Sequence, residues 1–186
     1  MPHIDIPYKE TGWINRHGQE AILARIAPRH RLIFEVLIET GLRMGEVCAL
    51  RVRDVADGEI LVERALDALG RVKETKAGRV RYVGVSIALY DRLQALTRGR
   101  FGEEPLFRNK LGNPYKSRGL WSIWNPASKA AGLPIAPRTG TRHSRASQIR
   151  KRREEETYRI VADQLGNTPE VARVYARPRG EEVREG

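Results

Sequence analysis

The chain has few of the side chains that most often bind metal ions or form cross-links. Of its 186 residues one is a cysteine, Cys48, and four are histidines, His3, His17, His30 and His143, which lie far apart in the sequence. A single cysteine excludes an internal disulfide and a cysteine-based metal cluster. No two of the histidines have the spacing of a metal-ligand pair. We therefore expect no metal ion and no other cofactor.

Long apolar segments are also missing. No apolar run reaches the ~20 residues that a membrane-spanning helix needs, and the first residues, MPHIDIPYKETG, do not have the pattern of a signal peptide. With the unpaired cysteine, these absences predict a protein of the reducing cytoplasm, where it would be associated with the nucleoid if its partner is DNA. The length fits one domain with a sizeable core.

Acidic residues are outnumbered. Asp and Glu total 23 against 34 for Lys and Arg, which gives a formal net charge of +11. Such an excess favours a polyanionic partner, either a nucleic acid or an anionic membrane surface. Most of the basic residues are arginines, whose planar guanidinium group donates two parallel hydrogen bonds to one phosphate. The simpler alternative is a soluble protein with an unusually basic surface.

Hydrophobic periodicity predicts a mainly α chain with a small antiparallel β-sheet, in the α+β class. After an extended N-terminal arm over residues 1–14, helices are predicted at about 15–26, 28–40, 45–55, 87–98, 117–131, 140–153, 157–165 and from 168 onward. Strands are predicted at 59–65 and 79–86, with a middle strand within 71–78 that ends in a tight turn. Residues 180–186 are expected to be a flexible tail.

Four short segments stand out against this background. They are TGLRMGE (40–46), TKAGRVRYVGV (75–85), RTGTRHSRAS (138–147) and LGNTPEVARVY (165–175). Taken singly, each has an ordinary interpretation: Arg43 and Glu46 have the spacing of a surface ion pair on a helix, and Lys76 is a typical exposed turn lysine. It is their joint order along the chain that is unusual.

In order and spacing these segments resemble the catalytic domain of the tyrosine recombinase (phage integrase) family. That family has an arginine box, a lysine on a β-hairpin, a His-x-x-Arg-His box, and Leu-Gly-His followed by a helix that bears a tyrosine. The resemblance covers roughly residues 15–179 and implies the DNA breaking-rejoining fold. It also implies that the chain cleaves and rejoins double-stranded DNA through a 3′-phosphotyrosyl intermediate, in site-specific recombination or DNA integration by a mobile element, without a cofactor.

The resemblance implies a role for each matching residue. Tyr175 matches the nucleophile that attacks the DNA phosphate. Arg43 and Arg142 match the pair that clamps the phosphate as charge builds up on its oxygens. Lys76 matches the general acid that protonates the leaving 5′-oxygen, and Glu46 is expected to orient Arg43.

Two positions depart from the family pattern. Thr139 stands where the second arginine box begins with histidine, and Asn167 stands where histidine or tryptophan follows Leu-Gly. A threonine hydroxyl does not act as a base near neutral pH, whereas an asparagine amide still donates a hydrogen bond to a phosphate oxygen. His143 matches the ordinary residue that follows the second arginine, so it does not replace the missing imidazole.

Further basic residues are predicted to contact the DNA backbone, because they belong to the hairpin or to the segment 137–153, which contains no acidic residue. They are Arg79, Arg81, Arg138, Arg145, Arg150 and Lys151.

The domain organisation also follows from the resemblance. Family members usually carry an N-terminal core-binding domain, for which there is no room before Arg43, so we expect that domain to be absent. We expect a monomer in free solution, which meets other recombinase protomers on DNA. Two alternatives remain open at this point: a catalytically lapsed DNA-binding or regulatory module, and a relaxing enzyme similar to type IB topoisomerases.

Overall fold

The structure, a computed structural model, describes residues 12–74, 80–166 and 168–175. The chain divides into two compact units, one up to Arg145 and one from Ala146 onward. The predicted arm at 1–14 falls largely outside the described residues, and the tail at 180–186 falls outside them entirely. In the described ranges, no helix combines the length and the apolar character needed to cross a membrane.

Seven α-helices account for most of the described residues. They are α1 (Arg16–Ala24), α2 (Pro28–Thr40), α3 (Met44–Ala49), α4 (Ile87–Thr97), α5 (Ser117–Ala130), α6 (Ser144–Leu165) and α7 (Pro169–Tyr175). A 3-10 turn at Val52–Asp54 follows α3, and a π-helical turn at Thr139–His143 precedes α6. Helix α2 matches its prediction because its signals are local. Pro28 occupies the first turn, and Gly41 ends the helix in the left-handed conformation with φ of 67°.

Helix α2 runs through the core of the first unit. Its residues Phe34, Val36 and Leu37 are fully buried, and the Phe34 ring packs against the Trp124 indole of α5 with 5.5 Å between ring centroids. The indole N–H donates a hydrogen bond to the carbonyl of Ile135 at 2.9 Å. The core therefore holds the C-terminal end of α2, which leads into the first arginine segment, in a fixed position.

The β structure differs from its prediction. Instead of one sheet there are two: a three-stranded antiparallel sheet in the order β1 (Val55–Ala56), β2 (Glu59–Val62), β5 (Arg81–Gly84), and a pair formed by β3 (Arg64–Leu66) and β4 (Val72–Glu74). The predicted strand at 59–65 is thus broken at Glu63. The reason is tertiary, because β3 packs against α3 so closely that a Cβ on Gly45 would lie 2.5 Å from the carbonyl oxygen of Leu66.

Two helix predictions were wrong. The predicted helix at 45–55 ends at Ala49, because the Asp54 carboxylate accepts a hydrogen bond from the Arg51 N–H at 2.8 Å and fixes a separate 3-10 turn. The predicted helices at 140–153 and 157–165 are one helix, α6. Its charged middle contains no glycine or proline to interrupt it, and glutamate and arginine are good helix formers.

The second unit consists, in the described residues, of most of α6 together with α7. Ala162 and Ala172 are buried there, while Ile160 and Val171 are exposed. The Arg173 guanidinium on α7 lies over the Tyr158 ring on α6, 5.6 Å from its centroid. Among its described residues, the unit therefore has little apolar core beyond this cation–π contact and the two small alanines.

Candidate active site

The first arginine lies immediately after the turn that ends α2. Gly41 closes the helix, and the Thr40 hydroxyl accepts a hydrogen bond from the Leu42 N–H at 3.2 Å, which fixes the turn. Arg43 then takes an extended conformation, with φ of −73° and ψ of 150°, at the N-cap of α3. Its side chain is half exposed, so a rigid backbone presents a guanidinium group at the surface.

A buried carboxylate holds this guanidinium. Glu46 is 1% exposed. Its Oε2 accepts a hydrogen bond from the Arg43 N–H at 2.8 Å, and its Oε1 accepts one from Arg43 Nη1 at 3.0 Å. Burial acts to raise the pKa of the Glu46 carboxyl, but hydrogen bonds from Arg81 and Arg43 outweigh that effect and hold it below the ordinary value. Glu46 thus stays ionised and fixes one edge of the Arg43 guanidinium.

Arg81, at the start of β5, binds the same carboxylate. Its Nη2 donates to Glu46 Oε2 at 2.7 Å, and about a third of its side chain is exposed. The ion pair joins two elements that are 35 residues apart in sequence. One buried negative charge is therefore shared by two arginines, so this group of three residues keeps a net positive charge.

The second arginine, Arg142, contacts the same turn after α2. Arg142 lies in the π-helical turn, which packs against α2. Its Nη1 donates to the carbonyl of Gly41 at 2.7 Å. The turn fits only because residue 140 is glycine, since a Cβ there would lie 2.5 Å from Cζ2 of Trp124. The backbone between α2 and α3 thus contacts both arginines of the expected pair.

The environment of Arg142 is strongly electropositive. Burial lowers the pKa of its guanidinium, and repulsion from Arg43, Arg81 and Arg138 lowers it further, while only Glu46 acts in the opposite direction. Arginine stays protonated despite such shifts. The repulsion is relieved when an anion binds, so the arrangement favours a ligand that carries negative charge.

A cavity of about 450 Å³ opens between these elements. It is lined by Leu42, Arg43, Met44, Gly45, Ser117, Arg138, Thr141 and Arg142. Three guanidinium groups and the Ser117 hydroxyl at the start of α5 are donors, and none of the described lining residues carries a carboxylate. The cavity can accept a phosphate group with charge on its non-bridging oxygens.

The structure brings together only part of the predicted catalytic set. Arg43 with its partner Glu46, and Arg142 with its partner Gly41, lie at the turn between α2 and α3. Thr139 lies three residues before Arg142 in the same turn, where its carbonyl accepts a hydrogen bond from Ser144 Oγ at 2.7 Å. Tyr175 is the last residue of α7, in the second unit. The remaining members of the set, Lys76 and Asn167, lie outside the described residues.

The residues predicted to contact the DNA backbone have different surroundings. Arg138 lines the cavity, and Arg81 is paired with Glu46. Arg145 is partly buried, with its side chain beside Gly41. Arg150 lies 3.9 Å from Glu154 on α6, and Lys151 is exposed on the same helix. Arg79 lies outside the described residues.

Two features were missed by the sequence analysis. Ser117 carries no motif, and nothing in the sequence places the start of α5 beside an arginine that is 74 positions away. The ion pair between Arg81 and Glu46 was missed as well, because it joins residues that are 35 positions apart. Both features depend on long-range packing, which periodicity does not report.

Comparisons with known proteins show the family of the chain. Residues 13–178 match the model of the phage integrase family. Tyrosine recombinase XerA of Pyrococcus furiosus is 26% identical over 162 residues, which are 84% of this chain and 53% of that protein. Tyrosine recombinase XerC of Herpetosiphon aurantiacus is 29% identical over 144 residues, 75% of this chain and 44% of that protein. The chain thus spans about half the length of these relatives.

Solved structures show the same fold. The Tn1549 transposon integrase in complex with a circular intermediate DNA superposes with a TM-score of 0.63 at 19% identity, over 91% of this chain and 58% of that one. The XerA recombinase gives a TM-score of 0.61 at 17% identity, over 96% and 63%. With its boxes, its arginine cavity and a family match over nearly all of its length, the chain belongs to the phage integrase family.

Proposed function

We propose that the chain cleaves and rejoins double-stranded DNA through a 3′-phosphotyrosyl intermediate, in site-specific recombination or DNA integration. The observation that carries this proposal is the convergence of Arg43 and Arg142 on one cavity, with both guanidinium groups anchored by hydrogen bonds. The names of the relatives and the DNA-bound structures of similar proteins support it.

The anchored arginines suit the chemistry. When a tyrosine oxygen attacks the phosphorus atom, the phosphate becomes pentacovalent and gains charge on its non-bridging oxygens. Donors that are already in place stabilise this charge without reorganising at the moment of reaction. Arg43 has one edge held by Glu46, and Arg142 has one N–H held by Gly41. Their remaining N–H groups are available to the phosphate.

The other steps are assigned through the family motifs. Tyr175 supplies the oxygen that forms the new bond to phosphorus, and the bond to the 5′-oxygen breaks. Lys76 gives its proton to that leaving oxygen. The covalent link conserves the energy of the phosphodiester, so the reverse attack by a 5′-hydroxyl rejoins DNA without ATP.

A second candidate is a DNA-binding or regulatory module that no longer cleaves. The observation that favours it is the pair of departures, Thr139 and Asn167, at positions where the family has an imidazole or indole. In either case the partner is double-stranded DNA, which would place the protein in the cytoplasm with the nucleoid. We also propose a free monomer that meets other protomers on DNA.

The test is the formation of a covalent adduct. The protein is mixed, without metal ions, with supercoiled plasmid and with suicide duplexes of randomised sequence, from which the cleaved strand cannot be rejoined. We expect a protease-sensitive protein–DNA band that is absent with Tyr175→Phe and strongly reduced with Arg142→Ala. Salt-dependent binding without an adduct would favour the binding module, and recovery of cleavage after Thr139→His and Asn167→His would then identify a lapsed site.

A further inference from the structure

The unassigned element of this site is the third arginine that shares the buried carboxylate. We propose that Arg81 is a positioning residue, which acts on the bound phosphate through Glu46 and Arg43 and does not contact the DNA backbone. This inference rests on the proposed strand cleavage. It replaces the simpler expectation that every basic residue of the hairpin binds DNA directly.

The first argument is the geometry of the carboxylate. Glu46 Oε2 accepts from Arg81 Nη2 at 2.7 Å and from the Arg43 N–H at 2.8 Å, while Oε1 accepts from Arg43 Nη1 at 3.0 Å. Three donors on two oxygens leave the carboxylate little freedom to rotate. If Arg81 is removed, Oε2 keeps only the backbone donor, and the orientation of Oε1 toward the Arg43 side chain is no longer fixed from both sides.

The second argument is exposure. The Glu46 side chain is 1% exposed, Arg81 is 35% exposed and Arg43 is 50% exposed. Arg81 does not line the cavity, whereas Arg43 does. Arg81, the less exposed arginine, therefore binds the carboxylate from outside the cavity lining. Arg43, the more exposed one, is available to a ligand in the cavity.

The third argument is charge. A single carboxylate neutralises one of the two arginines that it binds, so Arg81 leaves a net positive charge behind the cavity. That charge reaches the second arginine, because Arg81 is among the groups whose repulsion lowers the pKa of Arg142. Its potential stabilises added negative charge on a phosphate without a direct contact.

The strand supports this assignment. Arg81 is the first residue of β5, where it pairs with Val62 of β2, while Glu46 belongs to α3. The ion pair therefore joins the sheet to the helix that has Arg43 at its N-cap.

The experiment compares Arg81→Gln and Arg81→Lys with the wild type and with Arg92→Gln. Arg92 is the matched control, because it is also an arginine paired with a glutamate, Glu35, and it lies outside the cavity lining. DNA affinity is measured as a function of salt concentration, and single-turnover cleavage is measured on saturated suicide duplex. Thermal unfolding confirms that each variant is folded.

We expect Arg81→Gln to slow the cleavage of bound DNA by about 10- to 100-fold, the scale of a misplaced reacting group. The slope of log affinity against log salt should not change. Arg81→Lys keeps the charge and one donor, and it should recover most of the rate. Arg92→Gln should match the wild type in both assays. A salt slope that falls by about one, with an unchanged cleavage rate, would show a direct phosphate contact and overturn the inference.

A double-mutant cycle tests the route. If Arg81 acts through Glu46, then Arg81→Gln should slow cleavage little further in a Glu46→Gln background. Full additivity would overturn the inference.

A duplex with sulfur at the 5′-bridging position gives a second test, since a thiolate leaves without a proton. The defect of Arg81→Gln should persist there, and its disappearance would show that Arg81 assists leaving-group protonation instead.

Failure of the proposed function is distinguished by the wild type. If the wild type forms no adduct with any duplex, strand cleavage is refuted and the catalytic part of the inference falls with it. The dependence of DNA affinity on salt still tests whether Arg81 contacts the DNA backbone. A slope that is unchanged in Arg81→Gln supports an Arg81 that binds Glu46 and not the DNA. A lower slope contradicts it.

Discussion

The two units of the chain are built in different ways. The first buries a large apolar cluster that includes Phe34, Leu37 and Trp124, and it fixes its arginines against backbone carbonyls and a buried carboxylate. In the second, Ala162 and Ala172 are the buried apolar residues among those whose burial the structure describes. The groups proposed to stabilise charge are thus held by a core, whereas the proposed nucleophile ends a seven-residue helix in a unit whose described residues form little core.

This difference suggests a division of labour. Electrostatic stabilisation depends on donors that do not reorganise, so it gains from rigid surroundings. A nucleophile has to attack and later leave the phosphorus atom, and the proposed one, Tyr175, belongs to α7, where Ala172 is the buried apolar residue among those whose burial the structure describes. We expect the two units to differ in stability as well as in construction.

The largest expected effect is on the core of the first unit. Trp124→Ala should lower the free energy of unfolding by about 3–5 kcal/mol, because the indole is fully buried and donates to the carbonyl of Ile135. The control in the second unit is Ile160→Ala, which should change it by less than about 1 kcal/mol because the side chain is 53% exposed. Urea unfolding gives both values. Equal losses would remove the contrast between the units.

The next effect is on cleavage. Arg142→Ala should reduce single-turnover adduct formation by about 10²–10³-fold, the loss expected when one donor to a developing anion is removed. Arg16→Ala removes an arginine from an exposed ion pair with Glu20 and should leave the rate unchanged. If both variants cleave like the wild type, the arginine cavity is not the site of charge stabilisation.

A partial loss of stability is expected in acid. The pKa of Glu46 is lower in the folded chain than its ordinary value of 4.5. Its contribution is therefore complete well above pH 4.5 and is lost as the pH falls below that value through the lower folded pKa. Unfolding free energies measured from pH 7 to pH 3 should fall less steeply for Glu46→Gln than for the wild type. If the unfolding free energies of the two proteins fell equally with pH, the pKa of Glu46 would not be lowered by folding.

The smallest effect concerns the second unit. Tyr158→Leu keeps an apolar side chain but removes the ring beneath Arg173, and it should destabilise the pairing of α6 with α7 by about 0.5–1 kcal/mol. Amide hydrogen exchange in α7 should become a few times faster, while exchange in α2 stays the same. Faster exchange in both helices, or no change in either, would contradict this expectation.

Local signals explain what the sequence could predict. Pro28 and Gly41 mark the ends of α2, and Ser86 accepts a hydrogen bond from the Leu89 N–H at the start of α4. The order of the motifs located Arg43 and Arg142. The break in the strand at Glu63 was not predictable, because it depends on the contact between α3 and β3 at Gly45. The predicted helices at 140–153 and 157–165 left a break at 154–156. The structure has none there, because the charged residues in the middle of α6 are good helix formers.

The hydrogen bond from Arg142 to the carbonyl of Gly41 joins positions 101 residues apart. A nascent chain that has left the ribosome with Arg43 but without Arg142 carries only half of the clamp. A misfolded chain whose π-helical turn has not docked against α2 likewise has only one of the two arginines in place. The proposed ability to cleave DNA therefore arises with the completion of the tertiary fold and not with the synthesis of any one motif.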